Sequence, residues 1–588
     1  MKNPTYTQFL NEVNNFIAKL SKDQLKEVIT GLAENSPASN RNNFLHIFES
    51  TISPKKHSQD TDIELSLTHD EFMEQIQDYY DRMKEGEFYD VEKDYDAYHR
   101  SERWYWDTDG YYDNEPEDYS SENYVIEVLE MLETAKCFFR KEDIDTAYEA
   151  YKKLFEIINY PDKMGHDEIF ISDFSFETAI GNDIVKEHKC IYYRLFYLKI
   201  IDIGKFEDLF LTIKDESNIL LTDIIEIDRK PLPKFDKFLT DYIGFLCDNP
   251  KNDKHLIDAL FIKGGMNEIK RFGYKNGEKH PSAFLYYYSN AKEEGLPKDN
   301  ILQLLLDGIK IIPEKYKSRS YLSLDLIDFA KKENDRKNLL LGYSTAFYSH
   351  KSLKNLAYLL DFIISEKKDK EIKKLKNYFK GIDVKELQSN RYYFTEISGC
   401  GDIFSLDSSE IEPVTLIIGQ YILNGIEPIL NFIDTNNYKG FSDKLRYIAA
   451  TVSLALKTIA GSEKTVLIDL LLDYYCLDKS SEEYSILKNM VNNTAEESSD
   501  KENEVLLKKL KEMEKISISR VSYILDNKYR KGYERGCLLL TACAEALQII
   551  SSDGDVLISK IDTEFKRYSA FRSYLKKYTA KSSLLKSV

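Results

Sequence analysis

Seven cysteines in a chain of 588 residues, at positions 137, 190, 247, 400, 476, 537 and 543, form neither a CxC nor a CxxC pair. The spacing excludes a contiguous zinc knuckle or a thioredoxin-type dithiol. An odd, scattered set predicts reduced and mostly buried thiols. Long apolar runs are missing too. The best window, Cys537 to Ile550, carries Glu545 inside it and falls short of the roughly 20 apolar residues that a membrane span needs. The opening MKNPTYTQFLNEVNNF lacks the continuous apolar core of a secretory signal, so the expected compartment is the cytoplasm, with no membrane partner. HExxH, GxSxG and GxGxxG are absent, and no cofactor or metal is expected.

What is present describes an ordinary globular chain. Hydrophobic residues make up 42% and charged residues 31%, too much apolar content for general disorder. Heavy use of Tyr, Phe, Ile, Lys and Asn matches AT-rich codons and points to a low-GC bacterial source. The net charge is −19. Residues 501–588 hold 18 Lys+Arg against 11 Asp+Glu, or +7, which leaves −26 for the rest. Such an acidic bulk disfavours nucleic acid, except through the basic C-terminal region. That region could equally meet an acidic partner or the chain's own acidic part.

Residues 128–161, VLEMLETAKCFFRKEDIDTAYEAYKKLFEIINYP, have the spacing of a tetratricopeptide-like helical hairpin. Ala135 and Ala147 are small where two helices come close, Phe138, Tyr151 and Leu154 fill the gap, and Pro161 stops the second helix. One hairpin cannot bury its own apolar face, so neighbours are expected on both sides. Upstream, Ser21-Lys-Asp-Gln24 and Thr68-His-Asp-Glu71 read as capping boxes; the second opens a helix burying Phe72, Ile76, Tyr79 and Met83. Downstream, amphipathic stretches follow one another with breaks at Gly204-Lys205, Asn249-Pro250, Gly264-Gly265, Gly295-Leu-Pro297 and Pro313. Helices resume after 391–413, with 426–433 read as helix and 493–504 as a solvated connection. Tyr533, Cys537, Leu540, Ala544 and Leu547 form a final inward stripe.

The fold class is therefore all-α: an irregular, right-handed-type α-solenoid of TPR/HEAT-like helical hairpins with a C-terminal helical domain. The expected divisions are an N-terminal helical unit (1–84), an acidic aromatic-rich insert (85–122), a TPR-like solenoid (123–395), a helical continuation (396–500) and a basic C-terminal helical domain (501–588).

The insert carries 14 Asp+Glu against 3 Lys+Arg and ten aromatics, including both tryptophans. Its aromatics can pack on the helices while its carboxylates stay in water. Alternatively Trp104, Tyr105, Trp106, Asp107, Asp109, Tyr111 and Tyr112 dock a protein partner with a basic segment. Asp107-Thr-Asp109-Gly110 resembles the start of a calcium loop, but the glycine sits at position 4 instead of 6, and position 12 is Asp118.

The stretch RKGYERGCLLLTACAEAL, followed by GDVLISKIDTEFKRYSAFRSYL, resembles the C-terminal helical region of bacterial SWIM zinc-finger proteins and related helical-repeat proteins. The matching features are Arg530-Lys531, Tyr533, Gly536 and the small apolar helix around Cys537, then Arg567, Ala570, Phe571 and Leu575. AFYSHKSLKNLAYLL, Ala346 to Leu360, resembles a hairpin of the same family. The likeness covers residues 125–395 loosely and 515–580 better. That family's metal module needs a CxC pair followed by Cys and His. Without it, the resemblance implies the helical platform alone and carries over no binding or catalytic residue.

Three further patterns invite chemistry. Arg41-Asn-Asn-Phe-Leu-His46 fits the R-x4-H pattern of HEPN-type ribonucleases, with arginine on the phosphate and histidine moving the 2′-hydroxyl proton; one such match among nine histidines is easily accidental, and a surface arginine with a helix-facing histidine is the plainer reading. His188 and Cys190 lie about 200° apart on a helix and cannot share a metal. Gly264-Gly265 with Lys270, Arg271 and Lys275 suggests a phosphate turn or a plain basic turn. The resulting expectation is a non-enzymatic adaptor or scaffold, with a nucleic-acid or defence accessory as the alternative.

Overall fold

The computed structural model describes residues 67–85, 123–160, 175–382, 411–432, 446–499 and 503–586, with a few positions around Ser21. The insert, its seven named aromatic and acidic residues, and Arg41 and His46 lie outside the described residues. All regular structure within them is helical, with no β-strand. The all-α class of stacked helical hairpins holds. The chain forms two compact units, Met1–Leu296 and Pro297–Val588.

In unit 1, α1 (His69–Lys84) opens with the expected capping box. The Glu71 amide donates to Thr68 Oγ1 at 3.4 Å, and the Thr68 amide to Glu71 Oε2 at 2.8 Å. The same reciprocity joins Ser21 and Gln24. Helices α2 (Asn123–Arg140) and α3 (Ile144–Ile158) make the predicted hairpin. Their turn places Glu142 at φ 65°, and Asp143 caps α3 through the Thr146 amide and hydroxyl. Ala135, Phe138, Ala147, Tyr151 and Leu154 are all buried. Phe138 stacks on Phe72 of α1 at 5.4 Å, and α3 packs on α5 (Asn182–Ile200) across its other face. Both required neighbours are there, each closing an apolar face worth about 1.5–3 kcal/mol per fully buried large side chain.

The stack continues through α4 (Phe176–Ile180), α6 (Glu207–Asp215), α7 (Leu221–Glu226), α8 (Phe235–Leu246), α9 (Asp253–Asn276) and α10 (Pro281–Glu293). The expected break at Gly264-Gly265 is present inside α9: both glycines leave helical dihedrals, Gly265 at φ 62°, and two helical segments meet there at a kink. A glycine pair can leave helical dihedrals and re-enter them within two residues. Gly273 sits where α9 meets α10 so closely that a Cβ would lie 2.9 Å from the Phe284 backbone.

Unit 2 begins with α11 (Lys298–Ile311), α12 (Arg319–Glu333), α13 (Arg336–Ser349), α14 (Leu353–Ser365) and α15 (Asp369–Lys380), each packed on the next. After α16 (Pro413–Asn424) come α17 (Arg446–Ala460), α18 (Leu467–Tyr475), α19 (Tyr484–Ser499), α20 (Asn503–Asp526), α21 (Tyr533–Ser551), α22 (Gly554–Glu564) and α23 (Ser569–Thr579). One apolar core runs from Val414 to Leu585, so the basic C-terminal helices share a core with the helices before them.

Three local expectations change. Residues 427–432 form a 3₁₀ helix. Residues 493–499, read as connection, continue α19, because Ala495 is fully buried and holds that turn against the core. The stripe on α21 widens to the whole circumference: every residue from Gly536 to Ala546 is buried. Helices α18, α20, α22 and α23 surround it, and a helix enclosed this way needs apolar or small residues on every side. Tyr533, Cys537 and Phe571 are buried as the packing signature requires.

Candidate functional site

Several buried charged groups tie one helix to another. In unit 1, Tyr151 lies with its hydroxyl 2.8 Å from His188 Nδ1, and His188 Nε2 stands 3.4 Å from Glu133, an ion-pair distance. Lys136 reaches Glu187 at 2.8 Å and Glu133 at 3.6 Å. His188 chiefly, with Lys136 adding to it, holds the Glu133 carboxyl down at about 2, against the burial that would raise it. His280 bridges Asp253 at 2.7 Å and the Cys247 carbonyl at 3.1 Å, joining the start of α10, the start of α9 and the end of α8. Arg194, almost wholly buried, donates to the Ile225 and Lys230 carbonyls. Asp258 accepts from the Thr222 amide at 3.1 Å at the N-terminus of α7; burial raises its carboxyl although Thr222 opposes the shift.

Unit 2 repeats the device. Glu545, fully buried in α21, accepts from the amides of Val466, Leu467 and Ile468 at 3.3, 2.9 and 3.0 Å, and from the Ser582 hydroxyl at 2.6 Å. A carboxylate at the N-terminus of α18 meets orphan donors and the positive end of the helix dipole. Lys457 and Lys488 reach Asp469 at 3.2 and 3.0 Å, and Lys488 and Lys479 reach Asp473 at 2.9 and 3.0 Å. Burial would raise the Asp469 carboxyl, yet the two lysines hold it below its ordinary value.

Cys190 is buried in the core as expected, and burial pushes its thiol up to about 12. Burial also raises Cys247 and Cys537, and lifts Cys543 to about 12. Such thiols stay protonated near neutrality and are poor nucleophiles. The Gly264-Gly265 kink has Glu268 beside it, its Cβ 3.1 Å from where a Gly264 Cβ would stand. A carboxylate at that place opposes phosphate. Among the described residues no group of three or more His, Cys, Asp and Glu side chains is arranged to hold a metal ion, and no helix is long and apolar enough to cross a membrane.

A cleft of about 330 Å³ opens between α3, α5 and the end of α6. Helix α3 supplies Lys152, Phe155, Glu156 and the following Asn159; α5 supplies Lys189, Tyr192 and Tyr193; Thr212 and Glu216 close it. The i, i+4 spacing of Lys152 with Glu156, and of Lys189 with Tyr193, lines them up along the opening. Its floor is aromatic: Tyr192 stacks on Tyr148 at 5.8 Å and meets Phe155 at 5.5 Å. Lys189 is held by Glu177 at 2.7 Å and Glu216 at 3.1 Å, while Tyr193 donates to Glu216 at 2.6 Å. Burial lowers the Lys189 ammonium, but the two carboxylates more than offset it and raise it overall. Lys152 and Glu156 stand exposed at the rim and make no ion pair among the described residues.

No family model, no curated protein and no solved structure matches the chain.

The sequence reading missed this cleft. Lys189, Tyr192 and Tyr193 belong to a helix it treats as plain stack, and they reach Glu156 only through packing against α3. The periodic signal reports which face is inward, not which rim residues stay unpaired.

Proposed function

We propose that the chain is a non-catalytic helical-repeat scaffold that binds a protein partner presenting a basic segment, with the α3–α5–α6 cleft as one docking point. The observation that carries the reading is the half-buried aromatic floor beside Glu156, an exposed carboxylate with no ion pair among the described residues. An arginine laid on the Tyr192 ring within reach of Glu156 gains a cation–π contact and a charge-assisted hydrogen bond, about 1–3 kcal/mol together. Lys152 and Asn159 offer donors to the carbonyls of a passing peptide. The acidic composition of residues 85–122 adds long-range attraction for the same kind of partner. A bacterial cytoplasmic adaptor built on the helical platform of the SWIM-type proteins, without their metal module, accommodates all of this.

The probe is a fluorescein-labelled peptide of about twelve residues, rich in arginine with one tyrosine, titrated against the full chain by anisotropy. Tyr192→Ala and Glu156→Lys are each expected to weaken binding about tenfold, corresponding to about 1.4 kcal/mol, and a glutamate-rich counterpart is expected not to bind. Equal binding of both peptides, or binding untouched by both substitutions, removes the cleft from the reading. RNA cleavage that His46→Ala abolishes would overturn the non-catalytic assignment and favour the ribonuclease alternative through Arg41 and His46.

A further inference from the structure

Unit 2 gathers cations and tyrosines at one end of α20. The turn from α20 to α21 exposes Lys528, Tyr529, Arg530 and Lys531 in succession, and Lys528 sits at φ 53°. The α22–α23 connection brings Lys566, Arg567 and Tyr568 to the same place: the Tyr568 hydroxyl donates to Asp526 at 3.3 Å, and Arg567 lies 3.7 Å from that carboxylate. Tyr529 is 55% exposed, its ring 6.0 Å from that of Tyr523. Of the neighbouring carboxylates, Asp526 is engaged by Arg567 and Tyr568, Glu534 by Lys577, and Asp562 by Arg572. Glu564 makes no ion pair among the described residues. Lys528, Arg530, Lys531 and Lys566 make no ion pair among the described residues.

We propose that this corner binds single-stranded nucleic acid, the turn 528–531 and the 566–568 segment together forming the contact. Cations alone would suit any polyanion. The exposed ring of Tyr529 decides between occupants: it stands between Lys528 and Arg530, with Arg567 over the half-buried Tyr568 ring at 4.9 Å beside it, and an open aromatic face flanked by cations can stack a base while the cations hold its phosphates. The chain's −19 charge opposes any polyanion at long range, so the contact is local and sensitive to salt. The proposal does not depend on the α3–α5–α6 cleft and survives or fails separately from it.

The test uses the full chain with a fluorescein-labelled 20-nucleotide oligo(U) and oligo(dT), read by anisotropy at low salt. Engagement of about four phosphates predicts an affinity that falls about 20-fold between 50 and 150 mM salt. The double substitution Lys528→Glu with Arg530→Glu is expected to abolish binding, and Tyr529→Ala to weaken it about tenfold. Lys237→Glu, an exposed charge reversal in unit 1, is expected to change nothing, and the thermal midpoint of each variant checks folding. Absence of binding at 50 mM salt overturns the proposal. So does binding that Tyr529→Ala leaves intact and a polyglutamate peptide displaces equally well, the result expected of a docking surface for an acidic protein.

Discussion

At the scale of single residues, charged groups buried among the described helices hold helix ends together. Glu545 illustrates this. In the sequence it only spoils an apolar window; in the structure its carboxylate receives three amides of α18 and the Ser582 hydroxyl. Removing it strands those donors, so Glu545→Ala is expected to lower stability by about 3 kcal/mol, read from the urea midpoint. Glu133 supplies a pH dependence. Its carboxyl is lowered from 4.5 to about 2, so its contribution is complete above pH 4.5 and fades as pH falls through 2. The group is about half exposed, and solvent screening limits the contribution to about 1 kcal/mol. Glu133→Gln is therefore expected to be less stable than the parent at pH 6 and equal to it near pH 2, measured by denaturant titration at both values.

At the scale of elements, much was legible, because helix starts and inward faces are local properties. The capping boxes at Ser21 and Thr68, the α2–α3 hairpin, and the burial of Ala135, Phe138, Ala147, Tyr151 and Leu154 all follow from spacing within a few turns. The readings that changed depend on contacts from far along the chain. Ala495 sits in a polar stretch that reads as linker, and only its packing in the core keeps α19 helical to Ser499. Two glycines test the packing between elements. A Cβ at Gly273 would press on the Phe284 backbone at 2.9 Å, whereas one at Gly244 in α8 meets nothing within 4 Å. Gly273→Ala is expected to destabilise by about 1–3 kcal/mol, and Gly244→Ala to stabilise by up to about 1 kcal/mol from helix propensity. Thermal midpoints of the two single variants, moving in opposite directions, check both.

At the scale of the whole molecule, the sequence announces a pile of helical hairpins but not how it divides. The two compact units meet in sequence at Leu296/Pro297, where Gly295 takes φ 71°. In the chain's local chemistry that break resembles Asn249-Pro250, which interrupts nothing larger than a hairpin. Division into units depends on which faces find partners, and no short window carries that information. The cleft was hidden for the same reason: Glu156 and Tyr192 stand 36 residues apart and meet only when α3 packs on α5.

The proposed role, receiving a basic segment at the cleft between α3, α5 and α6, is open to a direct reading. Hydrogen–deuterium exchange of the full chain, with and without the saturating arginine-rich peptide, supplies it. The expected result is slowed exchange in fragments covering residues 148–159 and 189–216, with the fragments around Glu545 and His280 unchanged. Protection confined to other fragments, or no protection at saturation, would contradict it.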